Sequence, residues 1–392
     1  MSSACASAVA ASRIHVVTLT PFYPHRGDDA AGCFIAEPLR YLGDQEVSST
    51  VIAAQPFYRG SHDEGEGSPG AKYRSFFSLP RGFGLPSSGA FLFARVLQEI
   101  RREHRENRID LIHAHGALPC GHAAALLRRK LGIPFVVSVH GLDAFSTTQV
   151  RGPVGAWCRR NSQMVYESAQ RVICISERVR QQVIAGTKNA KTCVVHNGVD
   201  TNLFAPAIRR TSTPLILSVG NLIASKGHEL LIRAVAGLSQ THSDLVCEII
   251  GDGPELRRLK SVAARLGIAN RVRFPGRRSR DEVAEAMRRC AIFALPSSYE
   301  GLGCVYLEAM ASGKPVLGCR EQGIEEIIDH GINGFLISPG NLDELISFMR
   351  PLLGDESLRA RIGQAARKTI VDRLMSQHQA EQLNQVYREC LV

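Results

Sequence analysis

Two carboxylates eight positions apart, Glu300 and Glu308, stand in the run LPSSYEGLGCVYLEAMASGKPVLG at residues 295–318. The apolar residues 291–295 read as a strand end, the Pro/Ser/Gly segment as a turn, and the chain from Gly303 onward as a helix. Glu300 then sits on the turn and Glu308 about two helical turns further on. A helix start reached through a glycine-rich turn suits an anion, because unpaired backbone N–H groups and the positive end of the helix dipole meet there. Gly301 and Gly303 let a ligand reach the backbone with no Cβ in the way. The layout fits a diphosphate at the helix start with a hydroxyl-bearing ring beside each carboxylate, as a nucleotide-sugar presents. Spacing alone proves little. Glu381 and Glu389 are equally far apart in a polar, glutamine-rich terminal segment that reads as solvated surface.

These groups need a scaffold, and the chain supplies one by alternation. Short apolar runs alternate with longer amphipathic or alanine-rich ones, the pattern of parallel strands joined by crossover helices. Strands are expected at 14–18, 49–53, 111–114, 135–139, 172–175 and 193–195. Helices are expected near 34–42, 90–105, 121–131, 154–168 and 177–184. Residues 60–70, GSHDEGEGSPG, read as a surface loop within this half. After the proline-bracketed stretch APAIRRTSTP, strands resume at 215–219, 246–250, 272–274, 292–295, 316–317 and 335–337. At 392 residues the chain exceeds one ordinary core and suits two α/β domains. The expected boundaries are 1–205, a linker at 206–213, 214–374, and a terminal helix over 375–392.

Composition narrows the partners. A formal net charge of +10 serves solubility or attracts anions: a nucleotide-sugar, a lipid phosphate or an anionic membrane surface. No basic stripe interleaves with aromatics, which argues against nucleic acid. The 11 cysteines show no C-x-x-C pair or metal spacing and read as small hydrophobes in a reducing compartment. No run reaches the roughly 18 apolar residues of a membrane span. The N-terminus also lacks the basic and apolar regions of a signal peptide. The expected location is cytoplasmic.

In context, the Glu300/Glu308 segment closely resembles the E-x(7)-E signature of glycosyltransferase family 4, retaining enzymes with a GT-B fold. The resemblance continues through LIHAH at 111–115, VSVHGLD at 137–143, VVHNGVDTNLFAP at 194–206, PLILSVGNLIASKGHELLIRA at 214–234 and IIGDGPEL at 249–256. It implies two Rossmann-like doubly wound domains facing across a cleft. The first would bind acceptor and the second nucleotide-sugar, with the terminal helix crossing back onto the first. Lys226 would neutralise the donor diphosphate, against the plain alternative of a solvated lysine at a helix start. Glu300 would lie beside the donor sugar, against a cap on the following helix. Glu308 would accept from the ribose hydroxyls, against an exposed helix residue. His140 would face the reacting sugar from the acceptor domain, against a core histidine at a strand end. His113 and His115 share one strand face, and a cleft or a core role is open for both. Gly32 would bring its loop to the diphosphate, or is a turn residue. Gly301, Gly303, Cys304 and Val305 complete the donor set. In much of the family an arginine stands where this chain has Asn221. Diphosphate neutralisation then rests on Lys226 and the helix start, with Arg277 or Arg278 as candidate compensating cations.

The resemblance thus implies a retaining, hexosyltransferase-type enzyme. It would move sugar from a UDP- or GDP-linked donor to a saccharide or lipid-linked saccharide acceptor. The segment looks closest to the teichuronic-acid and exopolysaccharide branch, which implies work at the inner face of the cell membrane. The helix 91–108, led by Phe91, Leu92 and Phe93 into several arginines, is a candidate for docking there or an ordinary surface helix. No D-x-D motif lies near a strand end, so neither metal nor other cofactor is expected. The alternatives are a GT-B-fold sugar-nucleotide epimerase, a phosphorylase, and a non-catalytic sugar-nucleotide-binding protein.

Overall fold

A computed structural model describes residues 13–25, 27–59, 70–80, 82–141, 143, 150–207 and 215–391. Most of the expected linker, the glycine-rich loop at 60–69 and the N-terminal residues 1–12 lie outside the described residues.

The first half runs β1 (Ile14–Thr20), α1 (Cys33–Leu42), β2 (Val47–Pro56), β3 (Ala71–Phe76), α2 (Leu85–Glu106), β4 (Leu111–His115) and α3 (His122–Leu131). It continues with β5 (Phe135–Val139), α4 (Gly152–Ser168), β6 (Arg171–Cys174), α5 (Glu177–Gly186) and β7 (Thr192–Val194). The second half holds β8 (Leu215–Val219), α6 (His228–Leu238), β9 (Val246–Ile250), α7 (Leu256–Arg265), β10 (Val272–Gly276) and α8 (Arg280–Arg289). Then come β11 (Ile292–Ala294), α9 (Cys304–Ala311), β12 (Val316–Cys319), β13 (Phe335–Ile337), α10 (Leu342–Gly354), α11 (Glu356–Arg373) and α12 (Ser376–Leu391).

Among the described residues the strands form two parallel sheets, ordered β3-β2-β1-β4-β5-β6-β7 and β10-β9-β8-β11-β12-β13. Helices cover both faces of each sheet, so β1, β4 and β5 are buried along their whole length, as parallel strands require. In each sheet the strand order reverses once, between β1 and β4 and between β8 and β11. Ligands of open α/β sheets bind at such switch points, beyond the carboxyl ends of the strands. The Gly32 loop follows β1, the Lys226 loop follows β8, and the Glu300 turn follows β11.

Every strand expected from sequence is present, and one further strand, β3, was not anticipated. It is an edge strand whose alternate residues are charged, so no apolar run marks it. Lys72 reaches Glu103 at 3.1 Å and Arg74 reaches Glu99 at 2.8 Å, both carboxylates on α2. These pairs turn Glu99 and Glu103 of α2 inward, while Arg95, Arg102 and Arg105 stay exposed.

Several contacts tie the halves together, two of them at α12 and α5. α12 returns to the first sheet, where Leu383, Val386 and Tyr387 pack with Ile14, Val16, Val136 and Ile173. Glu326, from the second half, accepts from the backbone N–H groups of Glu177 and Arg178 at 2.9 and 3.0 Å. A carboxylate at the start of α5 is favoured by the orphan amides and the dipole alike. Burial pushes Glu326 up, but hydrogen bonds from His196 and those two amides carry its carboxyl below the ordinary value.

Candidate active site

Backbone contacts bring Lys226 and Glu300 together. Gly227 has φ 70°, and a Cβ there would lie 2.0 Å from the Pro296 carbonyl oxygen; only glycine fits. Ser298 N–H donates to the Ser225 carbonyl at 2.8 Å. With the loops after β8 and β11 clamped in this way, Lys226 Nζ makes a close ion pair with Glu300 Oε2. The side chains are 18% and 14% exposed, so neither points into bulk solvent. Gln322 Oε1 accepts from Glu300 N–H at 2.9 Å and steadies the turn.

The first turn of α9 has no side-chain cap. Glu300 therefore is not the capping carboxylate, and the helix start stays open to an anion. Gly303 precedes it with φ 81°, and a Cβ there would strike Tyr306 and Glu300. Cys304 and Val305 open the helix. The Cys304 thiol takes a hydrogen bond from Asn197 at 3.3 Å, and burial pushes it up to about 12. Its side chain thus faces the 194–206 segment, leaving its backbone amide for a ligand.

The first half meets this turn from the opposite side. A Cβ on Gly301 would lie 2.8 Å from the His140 carbonyl oxygen, and Ser176 Oγ donates to the Gly301 carbonyl at 2.6 Å. Gly301 is a point of closest approach between the halves. His140 Nε2 lies 3.0 Å from His115 Nδ1, while its Nδ1 is buried without a partner among the described residues. His113 bonds Tyr387 Oη and Ser138 Oγ, each at 2.7 Å. That settles the question left open by sequence: His113 is a core residue holding α12, and His115 backs His140. Gly32 caps α1 with φ 68°, and a Cβ would meet the Phe22 backbone at 2.5 Å. Its loop lies at the β1 switch point, and packing alone already demands glycine there.

Burial carries His113 down to about 3 and His140 to about 4. His228, beside Lys226, is likewise held down to about 4 by burial. A histidine whose folded pKa is depressed contributes stability present above about 6.5 and lost as pH falls toward the folded value. Burial moves Glu37 up to about 7 and Asp143 to about 6, which has the opposite sign: their contribution is lost as pH rises through 6–7. His228→Leu is expected to remove about 2 kcal/mol of the stability lost between pH 7 and 5, at ~1.4 kcal/mol per pKa unit. Denaturant unfolding at both pH values checks it; an unchanged pH difference would refute the assignment.

Glu308 is buried, not an exposed helix residue. Burial raises its carboxyl, and Arg280 Nη1 bonds its Oε1 at 2.9 Å. Its Oε2 bonds no described residue. Arg280 was missed from sequence, although a cation opening a helix runs against the dipole and so marks an unusual partner. The candidate compensating cations are engaged elsewhere: Arg277 pairs with Asp28 and Arg278 with Glu282 at 3.1 Å. Asn221 is exposed at the end of the β8 strand. Structure thus brings Lys226, Glu300, Gly301, Gly303 and His140 together, with Cys304 and Val305 opening α9 beside them and Glu308 deeper along it.

Two parallel-sheet α/β domains meeting at their switch points are the architecture of the GT-B class of glycosyltransferases. Solved structures of that shape include sucrose-phosphate synthase from Thermosynechococcus elongatus, with a TM-score of 0.79 at 20% identity, covering 96% of this chain and 99% of that one. HepE of Anabaena, solved with UDP, superposes with a TM-score of 0.73 at 22% identity, covering 96% of this chain and all of that one (100%). Residues 31–203 match the family described as Glycosyltransferase Family 4, and residues 200–369 the one described as Glycosyl transferases group 1. A D-inositol 3-phosphate glycosyltransferase of Corynebacterium jeikeium is 32% identical over 332 residues, 78% of each chain. An uncharacterized glycosyltransferase of Methanocaldococcus jannaschii is 32% identical over 257 residues, 65% of this chain and 69% of its own. The chain belongs to glycosyltransferase family 4. The epimerase and non-catalytic readings are not favoured by these relatives.

Proposed function

We propose that this glycosyltransferase is a retaining, hexosyltransferase-type enzyme that uses a UDP- or GDP-linked sugar and acts without a metal ion. The observation that carries the reading is the Lys226–Glu300 pair beside the uncapped start of α9, opposite His140. The diphosphate seats on the α9 amides, and Lys226 turns from Glu300 onto its developing charge. Glu300 then holds donor-sugar hydroxyls and supports an oxocarbenium-like transition state. The acceptor hydroxyl attacks the anomeric carbon on the face the nucleotide leaves. The bond from that carbon to the phosphate oxygen breaks, and a donor phosphate oxygen takes the acceptor's proton. His140 stays neutral at physiological pH and contacts the sugar without carrying charge to it. Ribose hydroxyls donate to Glu308 Oε2. Asn221 offers the diphosphate a hydrogen bond but no charge. That HepE was solved with UDP-glucose supports a donor of this type. A binding screen of UDP, GDP and ADP, followed by turnover of the matching sugars and determination of the anomeric configuration, tests the reading. No nucleotide bound, or an inverted product, would end it.

The acceptor we infer is a saccharide or lipid-linked saccharide in cell-envelope or exopolysaccharide synthesis, reached at a membrane surface. Among the described residues no helix is long and apolar enough to cross a membrane. On α2, Phe91, Arg95, Gln98, Arg102 and Arg105 lie on one exposed stripe. Phe91 also joins exposed Phe77 at 5.0 Å between ring centroids, and Phe77 stacks on exposed Phe57 at 5.6 Å. Aromatics beside a basic stripe suit an anionic lipid interface. The protein is expected to float with phosphatidylglycerol vesicles, and Phe77→Ser with Arg102→Glu to reduce the floated fraction several-fold. Equal flotation of the variant, or none by wild type, would remove the membrane role.

A further inference from the structure

Arg280 contacts both domains at once. It opens α8, where Asp29 from the Gly32 loop accepts from its backbone N–H at 3.1 Å. One arm of its guanidinium, Nη1, bonds Glu308 Oε1 at 2.9 Å on α9. The other arm, Nη2, makes a close ion pair with Glu37 Oε1 on α1, in the opposite domain. Its carbon centre lies 5.0 Å over the Phe204 ring, next to the interdomain stretch. Ser376 Oγ, at the start of α12, approaches the second oxygen of Glu37 at 3.3 Å. All three side chains are sequestered: Arg280 is 12% exposed, Glu37 8% and Glu308 7%.

Buried guanidinium groups prefer to grip one carboxylate with both arms. Glu37 occupies one arm here, and Nη1, the arm on Glu308, also donates to Cys33 Sγ on α1 at 2.9 Å. Glu308 consequently keeps Oε2 open, the atom assigned above to the ribose. If the first domain swings away, Glu37 leaves with it, and the freed arm can close on Glu308 and cover that oxygen.

The geometry points to Glu37 as a positioning residue for the donor: through Arg280 it keeps Glu308 open to ribose hydroxyls and so couples domain closure to nucleotide binding. The inference rests on the ribose role of Glu308 proposed above. Coupling of this kind is reciprocal: closure raises nucleotide affinity, and nucleotide favours closure.

Ribose hydroxyls make the test selective. Calorimetry would compare UDP, GDP and ADP with their 2′,3′-dideoxy counterparts on wild type, Glu37→Ala and Glu37→Gln. Glu37→Ala is expected to weaken the ribonucleotide by about tenfold, within the usual range for coupled sites, and to leave the dideoxy compound within twofold. Glu37→Gln, which keeps an oxygen for Arg280 but no charge, should fall between. It also serves if the alanine variant fails to fold. In an Arg280→Met background, Glu37→Gln should add no further loss. An unchanged ribonucleotide affinity, or equal weakening of both compounds, would overturn the inference while leaving the donor site standing. A wild-type protein that does not distinguish ribose from dideoxyribose removes the role of Glu308, and the inference falls with it.

Discussion

Glu300→Gln is expected to cut turnover by about 10²–10³-fold, the usual cost of losing one preorganised charge contact at a transition state, while nucleotide affinity stays within a few-fold. Glutamine keeps the shape of the side chain and can still accept from Lys226, so the turn between β11 and α9 should hold. It loses the negative charge proposed to face an oxocarbenium-like centre. That charge is worth most in a cleft where Glu300 is only 14% exposed and water screens it little. The diphosphate and ribose contacts proposed above lie on α9, Lys226 and Glu308, which the change does not touch. Turnover at saturating donor and acceptor, beside calorimetric nucleotide affinity, separates the two effects. Full turnover in the variant would sink the assignment of Glu300.

Lys226→Ala should act on binding instead. A hydrogen bond to a charged partner contributes about 1.5–3 kcal/mol, so diphosphate affinity should fall by about 10–100-fold. A second effect works in the same direction. Without its lysine, Glu300 faces the diphosphate as an unpaired carboxylate, and like charges repel. Little nearby can compensate, because Asn221 is neutral and Arg277 and Arg278 are held by Asp28 and Glu282. Lys226→Arg restores the charge, though with a broader group in a loop clamped at Gly227, and should recover part of the affinity. Nucleotide binding equal to wild type in the alanine variant would refute the role of Lys226.

The elements around this pair were readable because their signals are local. The strands β5, β8, β9 and β13 fall at the residues expected from their apolar runs, since a strand covered on both faces needs apolar side chains throughout. α1 and α12 likewise lie within a residue of their expected starts. β3 was not readable, because Lys72 and Arg74 stand on an edge and find their partners on a helix that comes later in the chain. The Glu300 turn was readable for a similar local reason. Gly227, Gly301 and Gly303 mark close backbone approaches, and Glu300 stands among them. What each group touches was a different matter. Glu300 as a helix cap and Glu308 as an exposed residue were both open in sequence; the uncapped α9 and the Arg280 bond decided against them.

Apolar periodicity, glycine placement and the order of motifs along the chain determined a pair of parallel α/β domains and a glycine-rich turn carrying Glu300, because those features depend on neighbours a few residues away. Tertiary structure alone decided that His113 is a core histidine tied to Tyr387, that Arg277 pairs with Asp28 and Arg278 with Glu282, and that Arg280 bridges Glu37 and Glu308. Each of those outcomes depends on a partner brought from a distant part of the chain. Burial then sets its strength, since a charge removed from water must find an opposite charge or give up its ionisation.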